Sequence, residues 1–93
     1  MNQIFVKVHG NVQGVFFRAY TRDKANELGL KGWVRNAADG TVEVFLQGNQ
    51  NKTDEMLEWL KEEGSPGSSV EKIEKTKKSP AGEEQLSEFT IRY

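Results

Sequence analysis

The amino-acid sequence predicts a small α+β sandwich, in which two helices cover one face of an antiparallel sheet. Length is the first reason, because 93 residues fit one compact domain, which we assign to 1–93. Patterning is the second, because stretches that alternate apolar and polar residues are separated by stretches with apolar residues at helical spacing. The third is their order, β-α-β-β-α-β followed by one short strand. Right-handed crossovers place both helices of such a chain on the same side of the sheet.

The first strand and the first helix are predicted in the N-terminal part of the chain. The strand covers 3–9, where alternate apolar residues face a core: Ile4, Val6 and Val8. The helix begins near Phe16, and its apolar stripe has helical spacing: Phe17, Thr21, Ala25 and Leu28, extended by Tyr20 and Lys24. Gly29 is predicted to end the helix, since glycine readily adopts the left-handed conformation found at helix C-termini.

Two strands joined by a tight turn are predicted next. The stretch LKGWVRNA indicates the second strand over 30–37, and TVEVFLQ indicates the third over 41–47. The turn ADG, at 38–40, contains Asp-Gly, a pair that supplies the positive φ angles of hairpin turns. The third strand directs its alternate apolar residues inward: Val42, Val44 and Leu46.

The rest of the chain predicts a second helix and two strands. The helix is expected over 52–63 with Asn51 as its N-cap, and its apolar stripe consists of Met56, Leu57 and Leu60. The stretch GSPGSS ends it and forms a loop. The charged stretch VEKIEKTKK, at 70–78, is typical of an edge strand. EFTIRY, at 88–93, is the last strand, with three residues on one face: Phe89, Ile91 and Tyr93. Together these elements predict the ferredoxin-like sandwich.

Composition and charge exclude several classes of protein. The net charge is −1 and the isoelectric point is near 5.8, whereas proteins that bind nucleic-acid phosphates usually carry a basic excess. The absence of cysteine excludes disulfides, cysteine-ligated zinc and thiol catalysis. The single histidine, His9, excludes a multi-histidine metal site and is expected to be solvated. Because no apolar run could span a bilayer, we expect a soluble, cytoplasmic protein without membrane contact. We also expect it to be a monomer.

The stretch GNVQGVFFR, at 10–18, lies between the first strand and the first helix. Gly10 and Gly14 allow the backbone to turn so that successive N–H groups form an anion-binding nest. Arg18 lies in the first turn of the helix, where a cation opposes the helix dipole and a bound anion would relieve the repulsion. A guanidinium can also hold two phosphate oxygens. Taken alone, however, these residues are explained slightly better by a glycine-rich turn followed by a surface arginine.

Asn36 is a second candidate. It ends the second strand with the same inward parity as Val34, so its amide is expected on the helix-covered side of the sheet. Asparagine is also common beside turns, where it bonds its own backbone, so this residue alone indicates a site only weakly. Asp23, Asp39 and Asp54 lie too far apart in the predicted elements to form a metal site.

Two long motifs resemble the signatures of the acylphosphatase family. GNVQGVFFR matches the pattern Gly-x-Val-Gln-Gly-Val-x-Phe-Arg at every fixed position. GWVRNAADGTVEVFLQG, at 32–48, matches Gly-aromatic-Val-basic-Asn, then Gly-x-Val and a final Gly. The C-terminal FTIRY also resembles the ending of the family, whose members are single domains of this size.

The resemblance implies an enzyme that hydrolyses the carboxyl-phosphate bond of acyl phosphates, giving a carboxylate and inorganic phosphate without a cofactor or metal ion. By motif position, Arg18 matches the phosphate-binding arginine, and Asn36 matches the asparagine that positions the attacking water. Ala37 stands where some relatives carry a hydroxyl residue, so any contribution of that hydroxyl to the rate of hydrolysis is absent or comes from another group. The phosphate cradle matches the backbone amides of Asn11, Val12, Gln13, Gly14, Val15, Phe16, Phe17 and Arg18.

A rival hypothesis uses the sheet face that the helices leave open. Phe5, Trp33 and Phe45 are expected to point outward there, and RNA-recognition domains of this architecture stack bases on such residues. The net charge of −1 and the missing basic-Gly-aromatic lead of the RNP1 motif argue against RNA. Cross-strand packing, or a small self-association patch, explains the aromatic residues better.

Overall fold

A five-stranded sheet with two helices on one face makes up the architecture. The computed structural model describes residues 2–14, 16–76 and 86–92. This arrangement confirms the predicted ferredoxin-like α+β fold. Within the described ranges, neither helix has the length and apolar character needed to cross a membrane. The elements in chain order are β1 (Asn2–Asn11), α1 (Phe17–Glu27), β2 (Lys31–Asn36), β3 (Val42–Gly48), α2 (Gln50–Glu62), β4 (Ser69–Thr76) and β5 (Phe89–Ile91).

The strands form one sheet in the order β4-β1-β3-β2-β5. β1 pairs antiparallel with β3 and β4, and β2 pairs antiparallel with β3, as predicted. β5 joins the free edge of β2 and runs parallel to it, so the sheet is mixed at this edge. Hydrophobic alternation identifies a strand, but it shows neither the edge that the strand joins nor its direction there. The predicted strand residues 77, 78 and 93 lie outside the described ranges.

The core lies between the sheet and the helices. α1 packs against β2 and β5, whereas α2 packs against β1, β3 and β4. Tyr20, expected to extend the α1 stripe, is exposed, because a rotation of about 100° per residue places it on the flank of the stripe. Leu57, predicted for the α2 stripe, is partly buried and packs against the core. The other apolar residues predicted to face inward from these elements are buried together: Ile4, Val6, Val8, Phe17, Ala25, Leu28, Val42, Val44, Leu46, Met56 and Leu60.

The first turn of α2 differs from the sequence-based expectation. Asn49, not Asn51, is the N-cap residue: its backbone is extended, and its side-chain oxygen accepts the N–H of Lys52 at 2.9 Å. Asn51 lies within the first turn and is exposed. Both asparagines suit a cap by type, and the end of β3 at Gly48 decided which one has the extended backbone that a cap requires.

The other sheet face carries an aromatic cluster. Trp33 and Phe45 are each 1% exposed, with ring centroids 5.9 Å apart, and Phe5 lies 6.1 Å from Trp33. The guanidinium groups of Arg35 and Arg92 lie 5.0 and 5.1 Å from the centre of the Trp33 ring. The expected direction of these aromatic side chains is correct, but two of the three are covered.

Leu86, which precedes β5, contacts a residue of the same sheet face. The N–H of Leu86 donates to the side-chain oxygen of Gln47 at 2.8 Å, and Gln47 is fully buried. A strand pattern cannot show this contact, because Leu86 and Gln47 are distant in sequence.

Candidate active site

A cleft of about 280 Å³ lies between α1 and the ends of β2 and β5. Arg18 of α1 and Asn36 of β2 both reach it, although they belong to different elements. The cleft therefore brings together the two side chains that the sequence singled out. Its lining comes from the loop before α1, the first turn of α1 and the two strands: Val12, Gly14, Phe16, Phe17, Arg18, Ala19, Asn36 and Ile91.

The loop between β1 and α1 has left-handed backbone at two of the residues that the structure describes. Gly14 has φ of 78°, and Phe16 has φ of 58° and ψ of 22°. A left-handed conformation costs on the order of 1 kcal/mol at a residue with a side chain, so the surrounding loop must hold Phe16 in place. Left-handed residues are one component of anion-binding nests, in which successive N–H groups point to the same side.

The N-terminus of α1 has no side-chain cap. Phe16 occupies the N-cap position without a capping hydrogen bond, and no acidic residue lies in the first turn. The first N–H groups of a helix have no partner inside the helix, and together they carry about half a unit of positive charge. Arg18, which is half-buried in the same turn, adds a full charge at the cleft. Both features favour an anion at this position.

Gly10 serves a different purpose from the one that the sequence indicated. It lies inside β1, where the pairing with β4 becomes irregular after His9. Its φ is 134°, and a Cβ at this position would collide with the carbonyl oxygen of Ser69. Gly10 is therefore needed for the close approach of two strands, and it is Gly14 that turns the loop.

Asn36 stands at the rim of the cleft as the last residue of β2. Val34 is two residues earlier on the same side of the strand and is fully buried in the core. The position of Asn36 beyond that core leaves its carboxamide exposed, with both a donor and an acceptor for a bound molecule. Ala37 closes the hairpin that follows, because its N–H donates to the carbonyl of Thr41 at 2.8 Å.

Gln13 connects the two halves of the site, a role that sequence analysis missed. Its side-chain nitrogen donates to the carbonyl oxygens of Ala37 and Thr41, at 2.9 Å each. Because Ala37 directly follows Asn36 and Thr41 lies opposite Ala37 across the hairpin, the loop before α1 is tied to the end of β2. The fixed glutamine of the first motif was the one signal in the sequence that could have indicated this contact.

Known proteins resemble this chain in both sequence and structure. The family model described as Acylphosphatase matches residues 4–91. The chain belongs to the acylphosphatase family. It is 38% identical to acylphosphatase-2 of Homo sapiens over 100% of this chain and 94% of that protein. It is 44% identical to acylphosphatase-1 of Gallus gallus over 92% of this chain and 87% of that protein.

The crystal structure of acylphosphatase from Bacillus subtilis matches with a TM-score of 0.92 and 38% identity, and each chain is covered completely. The comparisons confirm both the family and the enzyme class that the sequence predicted.

The acylphosphatase resemblance implied a cradle of backbone amides over 11–18, and part of this stretch lines the cleft. Asn11 is the last residue of β1 and pairs with Ser69, and it does not line the cleft. Gln13 directs its side chain to the hairpin, and Val15 lies outside the described residues. The residues of this stretch that line the cleft are Val12, Gly14, Phe16, Phe17 and Arg18.

Asp39 holds the hairpin turn beside the acylphosphatase motifs, in agreement with its prediction as a turn residue. Its carboxylate accepts the backbone N–H and the hydroxyl of Thr41, at 3.1 and 2.6 Å, and the ammonium of Lys7 at 3.0 Å. The Thr41 hydroxyl, followed by Lys7, holds the pKa of Asp39 well below its ordinary value. The hydrogen bond to Asp39 also raises the pKa of Lys7. The contacts of Asp39 therefore stabilise the same hairpin turn to which the Gln13 side chain donates its hydrogen bonds.

His9 pairs with Glu74 across β1 and β4, a contact that the sequence did not predict. It does not line the cleft of this acylphosphatase-family chain. Across 2–14, 16–76 and 86–92, no three histidine, aspartate or glutamate side chains are grouped as metal ligands.

Proposed function

We propose that this chain hydrolyses acyl phosphates to a carboxylate and inorganic phosphate, as a monomeric cytoplasmic enzyme that needs neither a metal ion nor a cofactor. The observation that carries the proposal is the meeting of Arg18, the N-terminus of α1 and Asn36 in one cleft. Membership of the acylphosphatase family supports the reaction, and the cleft supports the residues that perform it.

The phosphate group would lie against the first turn of α1. Backbone N–H groups of the loop and of the helix N-terminus would donate to its oxygens, and the helix dipole favours a negative charge there. Arg18 would contribute a planar pair of N–H donors, which matches two phosphate oxygens at once. The dianion would in turn neutralise the positive charge that Arg18 adds to the start of the helix.

Asn36 would position the attacking water. Its carboxamide lines the same cleft as Arg18, and the Gln13 contacts with the hairpin hold the two residues in a fixed relation. The water forms the new bond to phosphorus as the bond between phosphorus and the carboxyl oxygen breaks. The carboxylate leaves with the electron pair of that bond, and both protons of the water stay on the phosphate, which is released as dihydrogen phosphate. Orientation of this kind lowers the barrier because it removes the entropy of bringing the reactants together.

The chemistry places few demands on acid–base groups. The leaving group is a carboxylate, which is stable without a proton, so no general acid is required. Phosphoryl transfer depends mainly on positioning and on stabilisation of charge on the equatorial oxygens. An arginine, backbone N–H groups and a carboxamide therefore suffice, which is consistent with a chain that has no cysteine and one histidine.

Phosphate release from benzoyl phosphate, with and without a chelator, tests the proposal. We expect the rate to be unchanged by the chelator, and inorganic phosphate and sulfate to compete with the substrate. Loss of activity in the chelator, restored by a divalent ion, would overturn the metal-free mechanism. An absence of hydrolysis under all these conditions would overturn the proposed function.

Arg18→Ala, with Arg22→Ala as its matched control, tests the phosphate site. Arg22 lies on the same helix, outside the cleft, and pairs with Asp23 at 3.1 Å. Both variants remove one positive charge from α1. We expect Arg18→Ala to abolish measurable turnover and Arg22→Ala to leave kcat/KM within about twofold, since exposed pairs contribute little. Equal losses in the two variants would show that only the charge of the helix matters.

The RNA-binding alternative receives little support from the aromatic face, because Trp33 and Phe45 are buried and only Phe5 is partly exposed. Titration of labelled single-stranded RNA at low salt, where charge-driven binding is strongest, should give no tight complex. Tight binding that disappears in Phe5→Ala would reverse the ranking of the two functions.

A further inference from the structure

Phe16 combines two unfavourable features at one residue of the cleft. It is 79% exposed, and in the described part of the chain the one other exposed large hydrophobic residue is Tyr20, at 45%. It also holds a left-handed backbone with φ of 58°, and it is the one residue other than glycine with a positive φ in the described ranges. An exposed apolar ring and a strained backbone do not contribute to folding. Their coincidence beside a binding cleft therefore indicates a functional reason.

Phe16 lies where the organic part of a substrate must emerge. It lines the same cleft as Arg18 and Asn36 and directly precedes the first turn of α1. A phosphate bound at that turn has its oxygens toward the N–H groups and its acyl group toward the opening of the cleft. The acyl group of an acyl phosphate is attached through one bridging oxygen, so it lies within a few bonds of the bound phosphate.

We propose that the side chain of Phe16 is the contact surface for the acyl group, and that it makes the enzyme prefer acyl phosphates with aromatic or extended apolar groups over those with an acetyl-sized group. The inference rests on the proposed function, because it requires the phosphate to lie at α1. Contact with the substrate buries part of a ring that is otherwise in water, and this burial favours binding. Aromatic substrates should gain the most binding free energy, since two rings in contact attract each other more strongly than their buried area alone explains.

The contact should act on binding rather than on the chemical step. The acyl group meets Phe16 equally in the ground state and in the transition state, so its loss should raise KM and leave kcat little changed. An open aromatic contact corresponds to roughly a threefold to tenfold effect on affinity. The informative quantity is the ratio of kcat/KM for benzoyl phosphate to that for acetyl phosphate, because any disturbance of the phosphate nest cancels in the ratio.

Phe16→Asn is the decisive variant, because asparagine tolerates the left-handed conformation and lacks the ring. We expect the benzoyl-to-acetyl ratio to fall about threefold to tenfold, mainly through KM for benzoyl phosphate. Phe16→Tyr keeps the ring and should keep the ratio. Tyr20→Ala is the matched control: it removes the other exposed aromatic ring of the same segment, which does not line the cleft, and it should leave the ratio unchanged.

The outcomes separate this inference from the proposed function. Hydrolysis of both substrates by the wild type, with the same ratio in Phe16→Asn, would overturn the role of Phe16 alone. Hydrolysis of neither substrate would overturn the proposed function. Calorimetric titration with phenacylphosphonate and acetonylphosphonate, in which a methylene replaces the bridging oxygen, tests the contact without turnover. Tighter binding of the phenacyl compound by the wild type, lost in Phe16→Asn, supports the contact, and equal binding of both compounds contradicts it.

Discussion

Removal of the Gln13 side chain should break the link between the loop before α1 and the hairpin after β2 without disturbing the hydrophobic core. Gln13→Ala deletes two hydrogen bonds of 2.9 Å, to the carbonyls of Ala37 and Thr41. Both carbonyls keep a backbone donor, from Gly40 at 3.3 Å and from Ala37 at 2.8 Å respectively, so neither is left unsatisfied. The loss of each hydrogen bond should therefore lower the free energy of unfolding by an amount in the lower part of the usual range. Together the two losses should lower it by about 1–2 kcal/mol. For a domain of this size the Tm should fall by about 5–15 °C.

Activity should fall further than this loss of stability explains. Ala37 directly follows Asn36 and Thr41 pairs with Ala37 across the hairpin, so without Gln13 the loop before α1 and the end of β2 can move apart. A displacement of about 1 Å in a catalytic group can cost roughly 100-fold, and we expect kcat/KM to fall at least about tenfold. The assay is benzoyl phosphate hydrolysis well below the Tm, with folding checked by circular dichroism. Gln13→Glu should be worse, because a carboxylate cannot donate and adds negative charge near the substrate.

Gln50→Ala is the matched control. Gln50 also donates from its side-chain nitrogen at 2.9 Å, but to Asp54 on the exposed surface of α2. Its loss should change the free energy of unfolding by about 0.5 kcal/mol or less and leave kcat/KM unchanged. A folded Gln13→Ala variant with the kcat/KM of Gln50→Ala would refute the conclusion that Gln13 positions the site.

Three further outcomes are expected. Arg18→Lys should recover little of the activity lost in Arg18→Ala, because an ammonium cannot form a planar fork, and near-native kcat/KM would contradict bidentate binding. Asn36→Ala should lower kcat and kcat/KM together by about 10²–10³ with phosphate affinity nearly unchanged, whereas an unaltered kcat would reduce Asn36 to a turn residue. Because the pKa of Asp39 is lowered in the folded state, its carboxylate stabilises the fold fully at pH values above the ordinary pKa of 3.8. This stabilisation is lost progressively as the pH falls below 3.8. The Tm difference between wild type and Asp39→Asn should therefore shrink on acidification, and a constant difference would argue against this titration.

Local features of this chain were predictable from its sequence. The apolar residues of β1, β3 and α1 alternate or recur with the period of their element, and they are buried as expected, because side-chain direction follows backbone geometry. Gly29 ends α1 with φ of 72°, as its position predicted. The motif containing Arg18 and the motif containing Asn36 were both visible, since each is a continuous stretch of the chain.

Contacts between distant segments were decided by the tertiary structure. The choice of Asn49 over Asn51 as the α2 cap depended on where β3 ends, and the burial of Trp33 depended on side chains of other segments that pack around its ring, such as Phe45 and Arg92. The tie from Gln13 to the hairpin, and the exposure of Phe16 at the cleft, likewise arise only when the loop, α1 and β2 are assembled. The physical reason is that periodicity and propensity act between near neighbours. A binding cleft is instead made by groups whose separation is set by packing across the whole domain.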